Sequence, residues 1–287
     1  MKKTGLVLEG GALRAMFSCG VTDVLMENGI TFDGMIGVSA GACFGCNVKS
    51  KQNGRAIRFN MKYAGDKRYC SWQSFLKTGN MFNQEFGYHT IPYELDPFDF
   101  KAFKANPMEF YAVATDVTTG FPVYKKISDL DENGPDNGMK WLRASAAMPL
   151  VQKVVQIDGL KLLDGGSSDS IPLKHFENLG YTKNVVILTQ PRDFVKKPNS
   201  AILLMKILLH KYPNFIKTMQ NRHEMYNEQT KYVFEQEKIG NVLVICPEKS
   251  LGISRTEKNP GELKRIYEEG RKTALDQLEK IRKFVAG

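Results

Sequence analysis

A chain of 287 residues is long enough to bury one large α/β core, or at most two modest ones, which excludes a peptide-like or disulfide-scaffold protein. Its 42% hydrophobic, 10% aromatic and 25% charged residues match an ordinary globular protein and exclude disordered and fibrous classes. With 40 Lys+Arg against 31 Asp+Glu the balance is +9, which favours anionic partners without choosing among nucleic acid, membrane surface and acidic metabolite.

Residues 5–9, a short apolar run bounded by Gly10-Gly11, predict a buried strand entering a tight turn. A helix comes next, with Met16, Phe17, Val21, Val24 and Leu25 at helical spacing and Asn28-Gly29 as its stop. Residues 32–38 predict a second strand that ends at Ser39, and 40–48 a second helix. Segments 110–117, 184–189 and 241–246 are strand-like, with amphipathic helical stretches between them. At the end, Leu263, Ile266, Ala274, Leu278, Ile281 and Val285 fall on one helical stripe.

Strands alternating with helices imply an α/β three-layer sandwich, a mostly parallel central sheet covered by helices on both faces. Active sites of such sheets collect at the carboxyl ends of the strands, where Gly10 and Ser39 are both expected. No repeat or Gly/Ser/Pro-rich linker divides the chain. Residues 1–190 carry the glycine-containing motifs, and 191–287, basic amphipathic helices with a further strand and a C-terminal helix, are read as part of the same domain.

The longest apolar run, 201–209, is too short to span a bilayer and contains Lys206. Met1-Lys2-Lys3 resembles the start of a signal peptide, but Glu9 and Arg14 interrupt the apolar stretch that a signal peptide would need after it. A cytoplasmic protein is expected, with any membrane contact peripheral. Five cysteines, an odd number, fit a reducing compartment. Cys43 and Cys46 form a C-x-x-C without the second pair that a zinc cage needs, so they are read as packing residues in a helix.

The chemistry gathers in three glycine-containing motifs. Gly37-Val38-Ser39-Ala40-Gly41 is a G-x-S-x-G in the strand-to-helix context of a nucleophile elbow. There the serine is thrust out of a sharp turn, side chains at Gly37 and Gly41 would collide across it, and the helix amino terminus points its free N–H groups toward the hydroxyl. Glu9-Gly10-Gly11-Ala12-Leu13-Arg14 is a second strand-to-helix loop, whose amides at Gly10, Gly11 and Ala12 are suited to hold an anion: the oxyanion of a tetrahedral intermediate if it lies beside Ser39, or a phosphate. Neither G-x-G-x-x-G nor a Walker loop is matched, since Ala12 and Ala15 replace glycines and no G-K-[ST] follows. In Asp164-Gly165-Gly166 an acidic residue ends an apolar run, either as a tight turn or as a catalytic carboxylate.

A serine hydroxyl needs a base. His89, His175, His210 and His223 all lie outside the loop positions a Ser-Asp-His order would require and are read as surface or packing residues. Asp164 is the better base if burial lifts its pKa toward the working range. No metal-ligand spacing is present, so catalysis is expected without metal or cofactor.

Taken in order, Gly-Gly-x-x-Arg, Gly-x-Ser-x-Gly and Asp-Gly-Gly resemble the patatin-like phospholipase family, serine lipid acyl hydrolases with a Ser–Asp dyad. Between the motifs, Ala114-Thr115-Asp116 with Gly120, the segment Arg143-Ala144-Ser145-Ala146-Ala147-Met148-Pro149, and Ile171-Pro172 resemble the family as well. The resemblance implies Ser39 as nucleophile, Asp164 as general base and the amides of Gly10, Gly11 and Ala12 as the oxyanion hole, with Gly165, Gly166 and Arg14 in support. Ala12 and Ala15 stand where the family has glycine, so a positive φ at Ala12 would be strained. Arg14 is read either as a tether of the loop or as a contact for lipid phosphate. The implied function is an acyl-ester hydrolase of lipids; a lipid-binding protein on the same scaffold and a phosphate or nucleotide binder using Gly10-Gly11 are the alternatives.

Segments 49–70 and 192–222 each carry +6 and together exceed the whole excess. Peripheral contact with an anionic membrane is expected through them, or simply a solvated basic face. Nucleic acid is not expected, for no reader motif accompanies the charge. The aromatic run from Trp72 to Phe103 is read as an acyl-pocket lining, a lid or plain packing.

Overall fold

Alternation along the first strand, β1 (Lys3–Leu8), sends Leu6 and Leu8 to one face and Val7 to the other, and all three are buried. A strand apolar on both faces must be covered on both. In the computed structural model, which describes residues 3–131 and 133–287, β1 is indeed central. The other strands are β2 (Gly34–Val38), β3 (Glu109–Asp116), β4 (Pro122–Lys126), β5 (Val155–Ile157), β6 (Leu160–Asp164), β7 (Tyr181–Ile187) and β8 (Val242–Ile245). Five of them, in the order β3-β2-β1-β7-β8, are parallel; β4, β5 and β6 add antiparallel pairings beyond β3, so the eight-stranded sheet is mixed. These three short strands carry no strong alternating signal, and none was expected as a strand.

The helices are α1 (Met16–Glu27), α2 (Ala40–Ser50), α3 (Arg55–Tyr63), α4 (Trp72–Thr78), α5 (Phe100–Ala105), α6 (Gly138–Ser145), α7 (Leu173–Asn178), α8 (Ile202–Leu208), α9 (Pro213–Lys238), α10 (Pro260–Asp276) and α11 (Leu278–Ala286). One face of the sheet buries Leu6, Leu8, Met35 and Val185 with Phe17, Val21, Trp141, Leu263 and Ile266 from α1, α6 and α10. The other buries Val7, Ile36, Val38, Val113 and Val244 with Phe176 of α7 and Tyr226 and Val233 of α9. This is the three-layer arrangement. The C-terminal stripe expected on one helix runs over two, because the backbone leaves the helical region at Gln277 (φ −108, ψ 7); Ala274 and Ile281 still reach the core from either side of the bend.

The pairing around β3 positions the site. At Val113, β3 has Val38 of β2 on one side and Tyr124 of β4 on the other; at Ala114 it has Asp164 of β6 and Val123 of β4. Since β4 occupies one side throughout, β2 and β6 share the other edge of β3 end to end. Parallel β2 and antiparallel β6 therefore both run toward this junction.

Candidate active site

Ser39 leaves β2 with φ +54 and ψ −123 and caps α2, the strained left-handed backbone of a sharp strand-to-helix turn. The flanking glycines are required by contact. A Cβ on Gly37 would lie 2.6 Å from the Ala42 amide nitrogen, and one on Gly41 2.5 Å from the Leu8 carbonyl oxygen. The turn is held from below by buried Ser145, whose Oγ accepts the Ser39 N–H at 2.9 Å and donates to the Val113 carbonyl at 2.6 Å.

Asp164 ends β6 at the junction, and the Ser39 Oγ donates to its Oδ2 at 2.6 Å. Its Oδ1 accepts the Gly166 N–H at 2.8 Å, its own N–H donates to Ala147 O at 2.8 Å, and Thr115 Oγ1 donates to its carbonyl at 2.8 Å. Gly165 has no room for a side chain, since a Cβ would lie 2.2 Å from Val113 O. Burial raises the Asp164 pKa above the ordinary carboxylate range, while the Ser39 hydrogen bond, the Arg222 charge and the Gly166 amide oppose that rise. Ser145 and Ala147 thus give the 143–149 segment a physical purpose, one strut to the backbone N–H of each member of the pair.

The glycine loop lies against this pair: a Cβ on Gly10 would stand 3.0 Å from the Ser39 Cβ, and one on Gly11 2.6 Å from Thr189 Oγ1. Among the described residues the Gly10 and Gly11 amides have no acceptor, and Ala12 opens a 3-10 turn (Ala12–Ala15) whose first amides lack an internal partner. Ala12 takes φ +50, the positive angle that strains an alanine. Below the loop, buried Glu9 accepts the Thr189 N–H at 2.6 Å and the Tyr226 hydroxyl at 2.8 Å, and burial raises its pKa as well.

Beside Ser39 opens a cavity of about 110 Å³ lined by Ala12, Leu13, Ala40, Cys43, Phe44, Phe59, Tyr69, Phe82, Tyr88, Ile91, Phe98, Met139 and Leu142, with Arg55 at its wall. The aromatic run divides: Phe82, Tyr88 and Phe98 line the cavity, Phe86 and Phe103 pack in the core, and Trp72 is exposed. The two cysteines of the C-x-x-C are free; burial pushes both thiols up to about 12, so neither is a thiolate at neutral pH. His175 stacks on Tyr124, His89 on Tyr93, and His210 and His223 face carbonyls of their own neighbourhoods.

Four charged residues around the pair carried no sequence motif, or were left open. Arg222 of α9 donates Nε–H to the Gly166 carbonyl; Lys196 lies 4.2 Å from the centre of the Tyr226 ring; the Arg255 carbonyl accepts the Leu13 N–H at 3.5 Å; the buried Arg14 Nε has no acceptor among the described residues. The sequence singles out Arg14 in its motif and Lys196 and Arg222 only as part of the basic segment 192–222, and gives no signal for Arg255. In segment 49–70, by contrast, buried Lys49 donates to Met108 O and buried Arg55 to Asp96 O, while exposed Arg58 and Arg68 pair with Asp96 and Asp66.

A family model described as Patatin-like phospholipase matches residues 6–176, and one described as a domain of unknown function (DUF6363) matches residues 212–286. The chain is 28% identical over 209 residues to uncharacterized protein YjjU of Escherichia coli (strain K12), covering 68% of this chain and 54% of that protein. It is 26% identical over 191 residues to lysophospholipase nte1 of Aspergillus oryzae, covering 62% of this chain and 11% of that protein. The chain thus spans about half the length of the first relative and about a tenth of the second. The crystal structure of VipD from Legionella pneumophila aligns with 98% of this chain and 67% of its own at 12% identity and a TM-score of 0.46. The first of these models takes in β1 to α7, and with it the glycine loop, the serine turn and the aspartate at the end of β6; this chain belongs to the patatin-like phospholipase family.

Proposed function

We propose that this protein is a lipid acyl hydrolase that works through an acyl-enzyme on Ser39. The observation that carries the reading is the 2.6 Å hydrogen bond from Ser39 Oγ to the buried Asp164 carboxylate, beside a loop with unoccupied amides. Ser39 Oγ attacks the ester carbonyl carbon as its proton passes to Asp164 Oδ2, and the carbonyl oxygen, now negative, is held by the amides of Gly10, Gly11 and Ala12. Collapse breaks the bond to the alcohol oxygen, which leaves with the proton from Asp164. A water molecule then gives one proton to Asp164 and its hydroxyl to the acyl carbon; collapse breaks the bond from that carbon to Ser39 Oγ, which takes the proton back from Asp164 as the acid leaves. The apolar cavity beside Ser39 suits the acyl chain.

The same reading treats 1–190 and 191–287 as one domain, since β8 extends the sheet at β7 and α10 packs along α1. It also assigns a lipid-facing surface. On α8, Leu203 is 76% and Ile207 68% exposed, beside exposed Leu204 and Leu208 and the exposed cations Lys206 and Lys211. Apolar side chains ringed by positive charge suit an anionic bilayer. No helix among the described residues is long and apolar enough to cross a membrane.

A fluorophosphonate probe tests the chemistry: it should label Ser39 in the folded protein and fail on Ser39→Ala. Labelling elsewhere, or none, would refute the assignment. Co-sedimentation with phosphatidylglycerol vesicles should weaken on Leu203→Asp/Ile207→Asp; unchanged binding would remove the surface.

A further inference from the structure

The four cations near the catalytic pair form an arrangement that the hydrolytic steps do not use. Arg14 belongs to the glycine loop, and Arg255 meets that loop through its carbonyl on Leu13. Arg222 is bonded to Gly166, the residue whose amide holds Asp164 Oδ1. Lys196 covers Tyr226, whose hydroxyl is bonded to Glu9 at the base of the loop. Each residue is therefore within one or two contacts of the glycine loop or the aspartate turn, and the Arg255 charge, whose backbone makes its contact, is felt by Arg14, Lys196, Arg222 and Asp164.

Their charges act on one another. Burial, joined by the charges of Arg222, Arg255 and Arg14 and opposed by Glu9, lowers Lys196 to about 7. Burial also lowers Arg14 and Arg222, and each is lowered again by Arg255. Among the described residues none of the four makes an ion pair. The carboxylates that feel them, Glu9 and Asp164, are two against four, so cations outnumber anions around the loop. Grouped cations repel unless an anion joins them, and arginine forks match phosphoryl oxygens in pairs.

We infer that Arg14, Lys196, Arg222 and Arg255 form an anion site at the mouth of the catalytic pair, taking a phosphoryl group carried on the alcohol side of the scissile ester. The side follows from the cavity: its apolar lining includes Ala12, Leu13 and Ser39 but none of these four cations, so acyl chain and charge are directed apart. A phosphate monoester, close to two negative charges at neutral pH, supplies the anion that this group of cations lacks. Three of the four residues lie beyond the stretch 6–176 matched by the family model, so the site is a property of this chain's C-terminal third. The inference rests on the hydrolase reading for the word "ester", while the anion site itself does not.

The test pairs two esters that differ only in the phosphate: a monoacylglycerol phosphate and the monoacylglycerol of the same acyl chain. The wild type should prefer the phosphorylated ester in kcat/KM by about tenfold or more, equivalent to roughly 1.4 kcal/mol. Lys196→Met/Arg255→Gln should reduce that preference by about tenfold, mainly through KM. Equal turnover of both esters by the wild type, or an unchanged preference in the variant, overturns the inference. Calorimetric titration with glycerol phosphate runs alongside: binding by wild type and its loss in the variant are expected, and no binding by the wild type overturns the site. Should neither ester be cut, the hydrolase reading fails and the titration alone decides. Should glycerol phosphate and inorganic phosphate bind while both esters are cut alike, the site takes free phosphate and the headgroup assignment falls.

Discussion

Ser39 and Asp164, 125 residues apart in the chain, meet at 2.6 Å because β2 and β6 abut on one edge of β3. Val38 pairs with Val113 and Asp164 with Ala114, so one strand ends where the other ends. The distance between the two side chains is set by backbone register. Flexible reach of a side chain plays little part, and the geometry is therefore rigid in the way a preorganised pair needs to be.

Removal of the proposed proton acceptor gives the first prediction. Asp164→Asn should lower kcat on a soluble acyl ester by about 10²–10⁴-fold, the usual range for a general base. The variant should be at least as stable as wild type at neutral pH. The sign follows from the raised pKa: below the unfolded pKa the protonated group favours the fold, and that contribution is lost as pH rises through the folded pKa, whereas asparagine carries no charge to desolvate. Kinetics with thermal melts check both halves; full activity, or a collapsed fold, counts against Asp164 as the base.

The pH profile depends on the same group. A base must be ionised, so kcat/KM should fall as pH drops through a pKa lying above the ordinary carboxylate value of about 3.9. Arg222→Gln removes a positive charge that favours the carboxylate, and the acid limb should then move to higher pH. An acid limb that stays in place would show that Arg222 does not act on Asp164.

Ser145 is a support rather than a reacting group. Ser145→Ala leaves the Ser39 N–H and the Val113 carbonyl, both held by its hydroxyl, without that partner, which should cost about 1–3 kcal/mol of stability. Urea unfolding measures it. Activity should fall as well, since the turn that aims Ser39 loses its strut.

Steric predictions are sharper at the glycines. Gly165→Ala forces a methyl to 2.2 Å from Val113 O, a backbone atom that can move only with β3, and should destabilise by about 3 kcal/mol or prevent folding. Ala12→Gly runs the other way. Relief of about 1–2 kcal/mol at φ +50 exceeds the extra chain entropy of glycine, about 0.5–1 kcal/mol, so the melting temperature should hold or rise. A marked fall in stability would mean that the Ala12 methyl has a packing role.

Much of the parallel half of the sheet was legible in the sequence. Strands apolar on both faces, broken by Gly10-Gly11 and by Ser39, announce themselves in a few consecutive residues, and Asn28-Gly29 stops α1 where expected. The glycine motifs were equally legible, because a turn with no space for a Cβ leaves no choice of residue. The β4 strand and the β5–β6 hairpin were not: β4 is half-exposed and ends in Lys125-Lys126, and β5 is three residues long, so pairing with β3 rather than local preference decides them.

By itself, then, the sequence determined the turns, the strands with two apolar faces and the identity of the residues that glycine contacts leave no freedom to change. The tertiary structure decided the 2.6 Å meeting of Ser39 with the carboxylate to which the sequence pointed, which serine braces the turn, and that Arg14, Lys196, Arg222 and Arg255 gather near one loop. The reason is physical: sterics and hydrophobic alternation act within a few residues, whereas charge and strand register act across space between segments that the chain order keeps far apart.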